Sequence, residues 1–252
     1  MKTYLLTGGA TGIGAAIRSA LISAGHRVLT VDIQDGDYLV DLSDAGARQT
    51  VIQQIREDHP NLDGVITCAG VASHFPDRRK ILAINYAGTV DIISGLKSTL
   101  GRGARVIAIS SNSAPMCGSS ALVDALINEE FDTADQIADD IQGHDCYSGS
   151  KQAVARWVRK MAPDFAREGI SMNAIAPGYI ETPMTQAVAK NPQYGDAIKK
   201  FVDSIPAGRP GTPEDIARLV TFLLQPESDF IAGSVIFVDG AHDAMMRPNT
   251  FC

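Results

Sequence analysis

The stretch Thr7-Gly8-Gly9-Ala10-Thr11-Gly12-Ile13-Gly14 constrains the fold more than any other part of the chain. Ahead of it, Tyr4-Leu5-Leu6 reads as a strand. Behind it, Ile17, Ala20, Leu21 and Ala24 recur at helical spacing, with Gly25 as the stop. A glycine-rich turn from strand to helix gathers free backbone N–H groups at one point. The positive end of the helix dipole adds to their field, so the point suits a phosphate. Gly8 provides the tight turn, and Gly12 and Gly14 let a pyrophosphate approach with no Cβ in its way. A second strand, Arg27 to Val31, ends at Asp32, eighteen residues past Gly14. An acid about 20 residues beyond such a turn reaches a ribose 2′-hydroxyl. Turn and acid together predict a dinucleotide site, whereas the turn alone would be only a turn.

Beyond Asp32 the strand and helix patterns alternate. Tyr38-Leu39-Val40 leads to Asp41-Leu42, and Ala47, Val51, Ile52 and Ile55 mark a helix ending near Pro60. Leu62 to Thr67 reads as a buried strand closed by Cys68-Ala69-Gly70. A helical stretch runs from Ile81 to Leu96, and Arg105 to Ile109 is a fifth strand. Ile170 to Ala176 is the sixth and Ser234 to Val238 the last. Such alternation predicts one doubly wound α/β domain over residues 1–252, a parallel sheet with helices on both faces and ligands at the carboxyl ends of its strands. Thr212-Pro213-Glu214-Asp215 has the composition of a helix start. Residues 184–206 are expected to form a helical lid over substrate. No apolar run is long enough to span a membrane, and the first strand leaves no room for a signal peptide. A net charge of −7 argues against nucleic acid as a partner. Neither the four cysteines (Cys68, Cys117, Cys146, Cys252) nor the five histidines have ligand spacing, so no metal is assigned. Free thiols of this kind fit a reducing cytoplasm.

Two further features carry chemistry. Ser110-Ser111 closes the fifth strand, at the edge where ligands bind, though serines there are also common turn formers. No G-x-S-x-G elbow surrounds them, so neither reads as a hydrolase nucleophile. Tyr147-Ser148-Gly149-Ser150-Lys151 opens a stretch in which Val154, Ala155, Val158 and Met161 recur at helical spacing, and Pro163 should kink or end that helix. Residues i and i+4 share a helix face, so Tyr147 and Lys151 face one space. A nearby cation favours a phenolate, which predicts a Tyr147 pKa lowered toward neutrality, the range useful for proton transfer to or from an alcohol.

The spacing Gly8-x-x-x-Gly12-x-Gly14, the strand-end serines and Tyr147-x-x-x-Lys151 together resemble the short-chain dehydrogenase/reductase family. Within it the chain looks most like the branch of 3α-hydroxysteroid dehydrogenase/carbonyl reductase, a likeness extended by the tail Asp243-Ala244-Met245-Met246-Arg247-Pro248. The resemblance implies Ser111, the second of its pair, as the hydroxyl on the substrate oxygen, Tyr147 as acid/base, Lys151 as the cation below it, and Asn85 as support for a proton relay. Without the resemblance, Asn85 would be a buried side chain bonding a neighbouring strand. It also implies cofactor contacts at Gly8, Thr11, Gly12, Ile13, Gly14, Asp32, Cys68, Ala69, Gly70, Tyr147 and Lys151. Pro177, Gly178, Ile180 and Thr182 would run beside the nicotinamide. Asp41 and Leu42 would meet the adenine, or Asp41 would simply cap the next helix. Thr67-Cys68 replaces the family's Asn pair, and Thr67 is expected to supply part of the missing hydrogen bonds. Met245 and Met246 read either as pocket lining or as core filler.

The resemblance thus implies an enzyme that moves a hydride between NAD(H) and a secondary alcohol or ketone, with a bulky apolar substrate such as a hydroxysteroid or aromatic alcohol. NAD is expected over NADP because Asp32 repels a 2′-phosphate and neither Thr11 nor Ile33-Gln34 offers a cation. An epimerase or dehydratase on the same fold, and a silent nucleotide-sensing regulator, stay open as alternatives. Between Ser111 and Tyr147, residues 112–146 read as a helical insertion with Leu122 and Leu126, then Ala134, Ile137, Ala138 and Ile141, at helical spacing. Eight acids and no Lys or Arg fall within it. It is expected to roof the substrate and to repel its symmetry copy beside the Tyr147 helix. That predicts a homodimer formed through the Pro213 helix and the strand near Val235, rather than a tetramer.

Overall fold

The computed structural model describes residues 1–189 and 195–250, with the side chains of 187–189 and 195–198 outside that description. Seven parallel strands form one sheet in the order β3-β2-β1-β4-β5-β6-β7. They are β1 (Thr3–Thr7), β2 (Arg27–Asp32), β3 (Tyr38–Leu39), β4 (Leu62–Thr67), β5 (Leu100–Ile109), β6 (Ser171–Pro177) and β7 (Val235–Val238). The order steps outward in one direction from β1 to β3 and in the other from β4 to β7. A crevice therefore opens at the carboxyl ends of β1 and β4, where such sheets bind ligands. The inner strands are buried on both faces, so Leu5, Val65 and Val106 enter one apolar cluster while Tyr4, Ile66 and Ile107 enter the other.

α1 (Gly12–Ser23) and α10 (Pro213–Leu223) pack together on one face. The other face carries α2 (Ala45–Asp58), α3 (Arg78–Leu82), α4 (Gly88–Gly95) and α7 (Gly143–Arg167). α10 begins as expected: Thr212 is its N-cap, Pro213 its first residue, and Asp215 Oδ2 accepts from Thr212 N at 2.9 Å. Arg209 beside Asp215 holds that carboxyl down at about 2. Residues 112–146 contain α5 (Ser120–Ile127) and α6 (Phe131–Asp140). Leu122, Leu126, Ala134 and Ala138 tie both to the core beside α7. The expected lid falls on α8 (Pro183–Ala189) and α9 (Gly195–Asp203), and its residues 190–194 lie outside the described part, as does Cys252. Among the described residues no helix is long and apolar enough to cross a membrane.

Three local expectations need correction. α7 begins at Gly143, four residues before Tyr147, and of the two outcomes expected at Pro163, a kink or an end, the end does not occur, since the helix runs on to Arg167. Proline costs a helix one hydrogen bond and a steric clash, about 3 kcal/mol. Buried Ala162 and Phe165 flank it and hold the helix onto the core. The stretch expected as one helix from Ile81 to Leu96 is broken by a π turn at Ala83–Ala87 between α3 and α4. β5 starts at Leu100 rather than Arg105, because Leu100 pairs with Leu62 ahead of an irregularity in the ladder.

Candidate active site

The crevice is a cavity of about 580 Å³. Its β2–β3 side is lined by Gly8, Thr11, Gly12, Ile13, Gly14, Asp32, Asp41 and Leu42, and its middle by Cys68, Ala69 and Gly70. Ser111, Tyr147, Lys151, Pro177, Gly178, Ile180 and Thr182 line the β5–β6 side. Every residue the sequence suggested for catalysis or cofactor binding therefore lines this one space, except Asn85, which is fully buried behind the wall.

At the turn, Gly8 has φ +75°, and a Cβ there would stand 2.6 Å from Ala69 Cα. Only glycine meets both demands. Gly14 answers a second demand. A Cβ at Gly14 would lie 1.8 Å from the Gly8 carbonyl oxygen, so this glycine also lets the turn close on itself. Thr11 is the N-cap of α1, but among the described residues its hydroxyl bonds no backbone N–H, and no acid stands in the first turn. The positive end of α1 therefore meets the cavity uncapped, a setting that suits an anion. Asp32 Oδ2 accepts from Ala10 N at 3.0 Å and Oδ1 from Ile33 N at 2.7 Å, which fixes the carboxylate beside the turn. Asp41 does not cap α2. That role belongs to Asp44, whose side chain accepts from Ala47 N, while Asp41 accepts from Ser43 N at 2.8 Å and stays in the cavity wall.

The loop after β4 is held differently from the expectation. Thr67 Oγ1 is buried and, among the described residues, has no partner. Thr7, at the end of β1, does the work instead: its hydroxyl accepts from Cys68 N and Ala69 N, each at 3.2 Å. Asn85 holds the far end of the same loop. Its Oδ1 accepts from Val71 N at 2.8 Å, and its Nδ2 donates to Val71 O at 3.1 Å and Ser150 Oγ at 3.3 Å. Ser150 in turn donates to the Tyr147 carbonyl at 2.7 Å, so Asn85 grips the first turns of α7 as well as the loop.

β5 and α7 are joined by two reciprocal bonds. Ser110 Oγ donates to Lys151 O at 2.7 Å, and Lys151 Nζ donates to Ile109 O at 3.0 Å. These bonds set Tyr147, one turn earlier on α7, over the end of β5, where Ser111 lies. Burial of the Lys151 ammonium pulls its pKa down to about 8. Burial also raises the Tyr147 pKa, and the Ser111 hydroxyl, which hydrogen-bonds the phenolate form, offsets part of the rise. Tyr147 therefore lies above its ordinary pKa, not below it as the sequence suggested. The Lys151 ammonium donates to the Ile109 carbonyl and is itself desolvated.

A phenol, a buried amine and a strand-end hydroxyl share one cavity with an uncapped helix start. Family models match nearly all of the chain, the short chain dehydrogenase model over residues 2–122 and the enoyl-(acyl carrier protein) reductase model over residues 124–241. The chain belongs to the short-chain dehydrogenase family. It is 35% identical to the 3-alpha-hydroxysteroid dehydrogenase/carbonyl reductase of Comamonas testosteroni, with both chains covered in full. It is 30% identical to the acetoacetyl-CoA reductase of Synechocystis sp., over 96% of each chain. Among solved structures it resembles the 3-alpha-hydroxysteroid dehydrogenase of Pseudomonas sp. B-0831 complexed with NADH. That match has a TM-score of 0.94 and 36% identity, covering 99% of this chain and 100% of the other. The chain is an oxidoreductase of this short-chain family, and its likeness to the hydroxysteroid dehydrogenase branch covers the whole length.

Several residues of the short-chain site were not legible beforehand. Val71, Phe75, Ile84, Lys80, Met184 and Thr185 also line the cavity. Met184 and Thr185 fall at the start of the expected lid; the others sit on a loop, a short helix and a π turn whose approach depends on the folded sheet, so no local pattern marks them. Lys80 stands 4.0 Å from Asp41. Thr185 Oγ1 donates to Ile180 O at 2.7 Å, which docks α8 to the segment after β6. Met245 and Met246 are neither pocket lining nor core. Both are about half exposed on α11 (His242–Met246), where the chain turns away from the cavity. Among the described residues none from 112–146 lines the cavity, so the expected roof lies to one side, against α7 and α3.

Proposed function

We propose that the protein is an NAD(H)-dependent enzyme interconverting a secondary alcohol and a ketone, acting on a bulky apolar substrate such as a hydroxysteroid or an aromatic alcohol. One observation carries this reading: Tyr147, Ser111 and Lys151 line the same cavity as the glycine turn and Asp32. The residues fit the cofactor. The uncapped start of α1 suits the pyrophosphate, with Thr11, Gly12, Ile13 and Gly14 around it. Asp32 would accept the ribose hydroxyls, and Asp41 and Leu42 would flank the adenine. Lys151 would bind the nicotinamide ribose, while Pro177, Gly178, Ile180 and Thr182 would border the carboxamide. When bound, the nicotinamide supplies or accepts the hydride.

The chain's own residues do the rest. Ser111 donates a hydrogen bond to the substrate oxygen and so stabilises charge as it develops there. Tyr147 gives its proton to that oxygen in reduction and takes it back in oxidation. With the positive nicotinamide near, the phenolate is favoured and the burial of Tyr147 is countered. Asn85 supports the relay by holding the Val71 loop and, through Ser150, the turn that bears Tyr147. Val71, Phe75, Ile84 and Met184 give the cavity an apolar wall suited to a bulky ring system. The free thiols Cys68, Cys117 and Cys146 fit a cytoplasmic enzyme. A panel of cyclic ketones and secondary alcohols, followed by nicotinamide absorbance, tests the reading. Turnover of ring ketones is expected. Turnover confined to short polar carbonyls would remove the apolar-substrate claim.

A further inference from the structure

We propose that Ser113 is a positioning residue that fixes the direction of the Ser111 proton, an inference that rests on the roles of Ser111 and Tyr147 proposed above. Ser111 Oγ lies 2.9 Å from Ser113 Oγ and accepts the Ser113 backbone N–H at 3.1 Å. A hydroxyl has one proton and two lone pairs. The Ser113 amide fills one lone pair. If the Ser113 hydroxyl donates as well, it fills the second, and Ser111 is left with one capacity, to donate. In the reverse polarity, the Ser111 proton is spent on Ser113 and the reacting oxygen meets only a lone pair.

Burial decides between the two polarities. Ser111 is 7% exposed, whereas Ser113 is only half-buried. Solvent can satisfy the lone pairs of Ser113, but an unmet lone pair on Ser111 carries a desolvation cost. Donation from the outer hydroxyl to the inner one satisfies both. The turn is rigid enough to hold this arrangement, with Ala114 N donating to Ser111 O at 3.1 Å and Met116 N to Ser113 O at 2.8 Å. A Ser111 committed to donating serves both directions of the reaction, because the substrate oxygen and the Tyr147 phenolate are both acceptors.

The test compares the wild type with Ser113→Ala, Ser113→Thr and Ser113→Val, in steady-state kinetics of alcohol oxidation across pH. Without its hydroxyl partner, Ser111 gains a free lone pair and can accept from neutral Tyr147, which stabilises the phenol over the phenolate. Ser113→Ala should therefore lower kcat roughly tenfold, the scale of one hydrogen bond. It should move the rising limb of the pH profile to higher pH while leaving the KM for NAD unchanged. Thr should restore both features. Val, which has the shape of Thr without the hydroxyl, should behave as Ala does, and this pair carries the test even if the Ala variant folds poorly. A merely structural Ser113 would lower activity without moving the limb. An unmoved limb, or Thr and Val behaving alike, overturns the inference while Tyr147→Phe stays inactive. Full activity in Tyr147→Phe would overturn the underlying assignment and this inference with it.

Discussion

Lys151 is buried, and its pKa falls from 10.5 to about 8 because the ammonium is desolvated. An unfolded chain keeps that proton up to about pH 10.5. Between about pH 8 and 10.5 the folded state binds fewer protons than the unfolded one, so this group's contribution to stability rises with pH across that window. Below about pH 8 the folded protein bears the full cost, on the order of 3 kcal/mol at 1.36 kcal/mol per pKa unit. Lys151→Met removes that cost and also the bond to Ile109 O, worth about 1 kcal/mol. The variant should therefore be inactive yet more stable than the ligand-free wild type by about 2 kcal/mol near pH 7, with the gain gone by about pH 10.5. Urea unfolding at the two pH values measures this, and a Lys151→Met protein less stable near pH 7 would contradict the burial argument. At this scale the legible residues were those related by local geometry. Tyr147 and Lys151 line one cavity because residues one helical turn apart share a helix face. Thr7, Ser113 and Thr185 were not legible, because their partners come into reach only through sheet order or the exact course of a turn. The displacement of Thr67 by Thr7 has the same origin: two neighbouring strand ends each present a threonine, and only the register of β1 against β4 selects one.

Strands and most helices followed from apolar periodicity, and β4 has the bounds its sequence indicated. The π turn at Ala83–Ala87 was illegible because its apolar spacing is still helical. Its inward Asn85, bonded to Val71 across the cavity wall, is a tertiary fact. The continuation of α7 past Pro163 was illegible for a similar reason, since packing there outweighs propensity. We propose that the strand–turn–helix unit of β1, the glycine turn and α1, with the end of β2 beside it, sets the cofactor preference. Asp32 is held against the turn by Ala10 N, and Lys80, the nearby cation in the wall, already stands by Asp41. A 2′-phosphate beside the turn would meet the Asp32 carboxylate, with Asp41 competing for Lys80. We expect kcat/KM to be higher with NADH than with NADPH, and Asp32→Ala to shrink that ratio while weakening both cofactors, since the turn loses an anchor. An unchanged ratio in Asp32→Ala would show that Asp32 does not discriminate.

For the whole molecule, β7 is the edge of the sheet, and Phe222 on α10 and Phe230 are 51% and 99% exposed. Apolar side chains at an open edge mark a contact surface. On the other side, the acidic insertion lies along α7, and only part of its charge is met by the body, through Arg156–Asp124 at 2.9 Å and Arg79–Asp139. We propose a homodimer through α10 and β7. In sedimentation, Phe222→Asp should convert dimer to monomer, whereas a tetramer paired along α7 would refute the proposal. The proposed activity requires that this cavity moves a hydride under the control of Tyr147. NADH deuterated at the transferable position of the nicotinamide, incubated with a ring ketone and followed by mass spectrometry of the product, tests it directly. The account predicts an alcohol carrying one deuterium on the carbinol carbon, with NADH consumed in equal amount, and a rate at least ~10²-fold lower in Tyr147→Phe although NADH still binds. A product without deuterium, or product formed with no net loss of NADH, would contradict it.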